Sequence, residues 1–195
     1  VTLQVNKSVE VIFIYLACLR SGLIFHPLNT AYKDSELRFF LNDAEPTVFI
    51  CESTIFNKIA DLNLKKKPAN IFTLDSIYKI KIYGDHEILD CPDDEVAALL
   101  YSSGTTGNPK GIMLTHKNIG SNSKTLSECW DFQKDDCLLH ALPIYHVHGL
   151  FVALGCSLMS GSKVQWMDLF DSEKVIQALK KCTVMMGVPL SLIHI

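Results

Sequence analysis

The sequence predicts an α/β protein built on parallel strands joined by crossover helices. Short β-branched apolar runs alternate with amphipathic stretches of helical period along most of its 195 residues, the pattern of strand, helix, strand repeated. Residues that start helices (Ser, Thr, Asp) and residues that end them (Gly, Pro) punctuate those stretches. No internal repeat or low-complexity tract interrupts the alternation.

Taken in order, residues 1–5 form a short strand. In SVEVIFIYLACLRSG (residues 8–22) Val9, Ile12, Leu16 and Leu19 make a helical stripe, with Ser8 as cap and Gly22 as terminator. LIFHPLN is a strand that enters a Pro-terminated loop. Ser35 caps the next helix, where Leu37, Phe40 and Leu41 share a face. PTVFICE is a β-branched apolar run of the buried-strand type. Residues 53–62 form a helix and 70–74 a strand. From 78 to 94 the mixture of charge, Gly and Pro makes a surface excursion or edge hairpin. EVAALLYSS is a strand, GTTGNPKG a loop, and LTHKNIGSNSKTLSECW a helix capped by Thr115. CLLHALP (strand), HVHGLFVALGCSLMSG (helix), SKVQWM (strand), DSEKVIQALKK (helix capped by Asp171 or Ser172) and CTVMMGVP (strand) complete the pattern.

Composition excludes several classes. A net charge of −3 offers no polyanion-binding surface, so nucleic acid is not an expected partner; Lys65-Lys66-Lys67 is a solvated turn. The seven cysteines show neither CxxC pairs nor metal spacing, and they are expected to be reduced, mostly buried thiols of a cytoplasmic compartment. Residues 141–159 are the most apolar stretch, but two histidines and a tyrosine make them too polar to span a membrane. The first residues lack a signal peptide. They open as if inside a strand, so a missing upstream leader could still direct the protein to an organelle.

The stretch YSSGTTGNPKG, residues 101–111, concentrates chemistry. Five hydroxyl groups, three glycines and one lysine follow a buried strand, the place where α/β folds hold phosphates. Glycines let backbone N–H groups approach an anion. The hydroxyls of Ser102, Ser103, Thr105 and Thr106 can donate to phosphate oxygens or ligate Mg²⁺, and Lys110 supplies countercharge. The loop is not a P-loop: five residues beyond Gly104 stands Pro109 instead of glycine, and Gly111 instead of Ser or Thr follows Lys110. Nor does it contain G-x-G-x-x-G.

YSSGTTGNPKGIMLTH resembles the signature loop of the adenylate-forming (AMP-binding) superfamily, which includes acyl-CoA synthetases, luciferases and peptide-synthetase adenylation domains. Every glycine, Pro109-Lys110-Gly111 and Thr115-His116 match. The resemblance implies that Ser102, Ser103, Gly104, Thr105, Thr106, Gly107 and Lys110 contact ATP phosphates, with Ser102 also near Mg²⁺ and Lys110 catalytic. Ser102 stands where the family often has Thr, which keeps the oxygen. LPIYHVHGLF, residues 142–151, resembles the family's acyl-pocket segment. His146 is its usual histidine and the additional His148 is similar to the malonyl-CoA synthetase branch. A dicarboxylic acid keeps one free carboxylate after activation. A histidine pair beside a helix N-terminus can meet that charge; His148 could instead pack or cap the helix. Zinc held by His140, His146 and His148 is a further reading on paper, while His26, His86 and His194 read as structural or exposed. Met185 and Met186 read as core.

The resemblance covers residues 1–189 and implies a partial N-terminal domain; the final LSLIHI departs from the family pattern. It also implies a longer parent chain that supplies an acidic residue for Mg²⁺, an aspartate for the ribose, an arginine for the distal malonate carboxylate and a small C-terminal domain whose lysine promotes adenylation, none of them within residues 1–195. The isolated chain is expected to aggregate or to bind ATP weakly. The reaction implied for the parent protein is ATP-dependent activation of malonate to malonyl-AMP and transfer to coenzyme A. Two alternatives are an acyl-CoA synthetase for another short or medium acid and a non-catalytic nucleotide-binding piece.

Overall fold

Strand β1 (Thr2–Gln4) lies between β2 (His26–Pro27) and β3 (Val48–Cys51), and β4 (Asn70–Thr73) pairs with the far side of β3. All three pairings are parallel, in registers that place Thr2 beside His26 and Phe49, and Val48 beside Asn70. Helix α1 (Val9–Arg20) connects β1 to β2 and helix α2 (Asp34–Ala44) connects β2 to β3, the crossovers that parallel strands require. The computed structural model describes residues 1–80, 87–102 and 109–193. Its chain divides into two units, Val1–Asn6 with Glu10–Leu114, and Lys7–Val9 with Thr115–Ile195.

In the first unit the core is Leu28, Leu37, Phe40, Leu41, Phe49, Cys51 and Leu62. Leu37, Phe40 and Leu41 are the α2 face expected from spacing. Helix α1 turns a different face inward. Val11, Ile12, Tyr15 and Cys18 are buried, whereas Val9, Phe13 and Leu16 are exposed. A helix this apolar all round gives no stripe sharp enough to fix its rotation, so packing decides it. The caps also differ. Ser8 Oγ is buried with no hydrogen-bond partner among the described residues. At α2 the N-cap is Lys33 rather than Ser35, and Glu36 Oε2 accepts the Lys33 N–H at 3.0 Å. Gly22 does end its helix region, at φ +64°.

The single helix expected over 53–62 is a short α3 (Ser53–Phe56) and a separate 3₁₀ turn (Ile59–Leu62). Helix α4 (Leu74–Tyr78), capped by Thr73 accepting from the Ser76 N–H, lies where a strand passes into the excursion. Strand β5 (Val96–Ser102) pairs with β6 (Lys110–Thr115), a strand the Gly-rich reading of 104–111 concealed. Phe25 links β5 to the sheet region of β2: its N–H donates to Ala97 O and its carbonyl accepts from Leu99 N–H. Gln4, fully buried, donates through Nε2 to Asn29 O (3.0 Å) and Tyr32 O (3.2 Å), fixing the turn after β2.

The second unit contains a three-stranded parallel sheet in the order β8 (Lys163–Trp166), β7 (Cys137–His140), β9 (Val184–Met185). Helix α5 (His116–Cys129) precedes β7, with Thr115 Oγ1 accepting the Asn118 N–H. A π-helix (His148–Ala153) runs into α6 (Leu154–Ser160), and α7 (Ser172–Leu179) is capped by Asp171. The last described element is α8 (Pro189–Ile193). Leu138, Leu142 and Ala153 form its core with Val184 and Met186, so Met186 is a packing residue as expected. The cysteines are less buried than expected: Cys18, Cys51 and Cys156 are buried, Cys91, Cys137 and Cys182 half-buried, and Cys129 exposed. Among the described residues no helix is long and apolar enough to cross a membrane.

Candidate functional site

The phosphate-loop residues Ser103, Gly104, Thr105, Thr106 and Gly107 lie outside the described residues. The structure does define the two strands that hold the loop. Ser102 is the last residue of β5 and half-buried; Lys110 is the first of β6 and exposed. Immediately before Ser102, Tyr101 is anchored at three points. Its Oη donates to Asp43 Oδ2 at 2.5 Å, and its ring packs on Phe40 (4.7 Å between centroids) and His26 (5.3 Å). Burial, then the Asp43 carboxylate, raises the Tyr101 pKa, so the phenol remains a donor. Gly111 rests on this ring: a Cβ there would stand 3.5 Å from Tyr101 Cε1. Among the described residues no carboxylate lies within ion-pair distance of Lys110, so its ammonium charge is open to an anion.

The histidine turn belongs to the second unit. His146 is exposed and packs on Tyr145 at 4.6 Å; desolvation lowers its pKa. His148, half-buried, is the first residue of the π-helix. The turn is tied back on itself by the Leu150 N–H donating to His146 O at 3.0 Å. Gly149 is required because a Cβ would overlap the Pro143 carbonyl oxygen. Its own carbonyl accepts twice: from the Leu154 N–H, five residues on, and from His140 Nε2 at 2.8 Å. That extra acceptor role and the tight Pro143 contact account for the wide helical turn, a form often found at working sites.

His140 therefore supports the turn instead of joining a zinc site. Its ring stacks on Trp166 (5.0 Å, 5° between planes), and burial first, with the Lys7 charge second, lowers its pKa to about 4. Among the described residues no cluster of three or more His, Cys, Asp or Glu could hold a metal, which removes the His140–His146–His148 reading. Lys7, unremarkable in sequence, donates to His140 O (2.8 Å) and Met167 O (2.6 Å) and lies 4.3 Å above the Trp166 ring. Burial lowers its pKa to about 8 against the pull of Asp168. An isolated lysine before an apolar helix gave no sign of this role. The signal for Tyr101 was present, since it opens the signature loop, but its partner Asp43 is 58 positions away.

An α/β scaffold in which paired strands β5 and β6 flank a hydroxyl- and glycine-rich sequence, with exposed Lys110 at the start of β6, fits a nucleotide-binding class of protein. The match is complete in extent: residues 1–195 fit the family model of AMP-binding enzymes, and the chain belongs to that family. It is similar to MatB from Rhodopseudomonas palustris, solved with ATP bound, at 40% identity and TM-score 0.90, over 97% of this chain and 39% of that one. Malonate–CoA ligase ACSF3, mitochondrial, of Xenopus laevis is 33% identical over 151 residues, 73% of this chain and 25% of the ligase. The N-terminal domain of FACL13 from Mycobacterium tuberculosis, solved with an inhibitor, is 27% identical at TM-score 0.86, over 98% of this chain and 50% of that one. The fold is thus that of the N-terminal domain of adenylate-forming enzymes. The chain spans between a quarter and a half of the length of these relatives.

Proposed function

We propose that the gene product carrying this chain is an ATP-dependent acid–thiol ligase that converts malonate to malonyl-CoA. In the first half-reaction a malonate oxygen bonds to the α-phosphorus of ATP, and the bond to the leaving pyrophosphate breaks. In the second, the thiol of coenzyme A attacks the acyl carbon and AMP leaves. Catalysis is positioning and charge neutralisation. Lys110, exposed and without a carboxylate partner among the described residues, meets the phosphate charge; Ser102, Ser103, Thr105 and Thr106 donate to phosphate oxygens, with the backbones of Gly104 and Gly107 beside them. Mg²⁺, with Ser102 near it, would neutralise further phosphate charge.

The observation that carries the malonate assignment is the turn that presents His146 and His148. The Gly149 carbonyl and His140 support it, and His148 sits at the start of a helix, where an anion is favoured. The similarity to MatB supports the same reading. A second reading keeps the ligase and changes the acid, because the lysine and hydroxyl loop do not depend on the histidines. Pyrophosphate release by the full gene product, with ATP, Mg²⁺ and coenzyme A, separates them. Malonate is expected to give the fastest release against methylmalonate, acetate and octanoate. Faster release with octanoate would leave the ligase and remove malonate; silence with every acid would remove both.

A further inference from the structure

Cys137 and Cys182 lie 45 positions apart in sequence, and their Sγ atoms are 3.8 Å apart. We propose that this pair is an oxidation site, closing to a disulfide when the protein meets peroxide and reopening with thiol reductant. Cys137 begins β7, and Cys182 stands two residues before β9. The backbones there are held together by hydrogen bonds that do not involve sulfur. The Thr183 N–H donates to Cys137 O at 3.0 Å, the Cys137 N–H donates to Thr183 Oγ1 at 2.9 Å, and Thr183 Oγ1 donates to Asp136 Oδ1 at 2.6 Å. Both cysteines are half-buried, open enough for a small oxidant and close enough for each to be the other's first partner. A disulfide needs the sulfurs at about 2.05 Å, against the 3.8 Å that separates them in the reduced protein.

Burial, with Cys137 beside it, pushes the Cys182 thiol up to about 11, and each sulfur has the other within 3.8 Å, so oxidation of either one leads to the same bond. The first sulfur gives up its proton and attacks one peroxide oxygen; the O–O bond breaks, the departing hydroxide takes up that proton as water, and a sulfenic acid remains. The second sulfur then attacks the first, the S–O bond breaks, and the second thiol's proton leaves with the departing hydroxyl as water. Two electrons pass from the two sulfurs to one peroxide, and two waters form. The new bond closes a loop that contains His146, His148, the π-helix and β8, and it constrains the unfolded chain across that span.

The test is peptide mapping of the gene product treated with a few equivalents of hydrogen peroxide and then alkylated. Chymotrypsin is required, since trypsin leaves Cys137 and Cys156 on one peptide with no Lys or Arg between them. The expected product joins the Cys137 and Cys182 peptides and weighs two hydrogens less than their sum, while exposed Cys129 is alkylated or singly oxidised. Dithiothreitol should remove the link and lower the melting temperature of the oxidised protein by several degrees. Cys182→Ser should abolish the link without changing the reduced protein's melting curve by more than a degree or two. Alkylation of both Cys137 and Cys182 after oxidation, or either one linked mainly to another cysteine, would overturn the proposal. The peptide map on the unmutated protein decides the matter even if a serine variant folds poorly.

Discussion

At the scale of single residues, the proposed phosphate site would divide its work between Lys110, which supplies charge, and Tyr101, which supplies placement. Lys110 stands exposed at the first position of β6 with no described acidic partner, so its charge is not spent on the fold. A charge-assisted hydrogen bond contributes about 1.5–3 kcal/mol, so Lys110→Ala in the gene product should lower kcat/KM for adenylation between about ten- and a hundredfold. The ratio of rates with malonate and methylmalonate should hardly move, since the histidine turn is untouched. A variant that lost acid selectivity as much as rate would place Lys110 at the acid instead. Tyr101 takes the other part: the Asp43 hydrogen bond and the aromatic contacts with Phe40 and His26 fix the end of β5 where the loop departs.

Among the elements, the π-helix depends on one glycine and one buried histidine. Gly149 lies against the Pro143 carbonyl, and its own oxygen accepts from both Leu154 N–H and His140 Nε2. Gly149→Ala should cost about 1–3 kcal/mol through overpacking, read as a lower melting temperature, together with a raised KM for the acid and an unchanged KM for ATP. Equal change in both KM values would mean that the turn has no particular link to the acid. The same logic applies with less force at Gly155, where a Cβ would stand 2.5 Å from Ser123 Oγ and displace that hydroxyl from the Phe151 carbonyl.

For the whole molecule, acidity is the lever. His26 in the first unit and His140 in the second are both buried, and desolvation lowers each pKa from 6.5 to about 4. Asp43 opposes the lowering at His26; at His140 the Lys7 and His148 charges add to it while the Gly149 carbonyl opposes it. Between pH 6.5 and 4 the unfolded chain binds protons that the folded chain refuses. Stability is therefore fully present above 6.5 and is lost as pH falls toward 4, by up to roughly 1.4 kcal/mol per pH unit for each histidine. Calorimetry should show the melting temperature of the gene product dropping between pH 7 and pH 5. A flat profile would mean that neither ring has its pKa lowered in the folded state.

Much of this was legible in the residues themselves. Alternating apolar runs fixed the parallel α/β class, because parallel strands buried on both faces leave that trace in composition. Leu37, Phe40 and Leu41 of α2 and the Thr115 cap of α5 were local matters, decided within four residues, and spacing found them. The candidate phosphate loop and Lys110 stand out because anion binding needs hydroxyls, glycines and a cation in one short stretch; residues 103–108 of that loop lie outside the described residues. The rotation of α1 was not legible: Val9, Phe13 and Leu16 are as apolar as the buried Val11, Ile12, Tyr15 and Cys18, so only the sheet it packs on could choose. Strand β6 was hidden for the opposite reason, since its glycine and lysine read as loop until β5 pairs with them. His140 beneath Gly149, Tyr101 on Asp43, Lys7 over Trp166 and Cys137 against Cys182 each join positions far apart in sequence, and only tertiary structure brings such partners within a few ångströms.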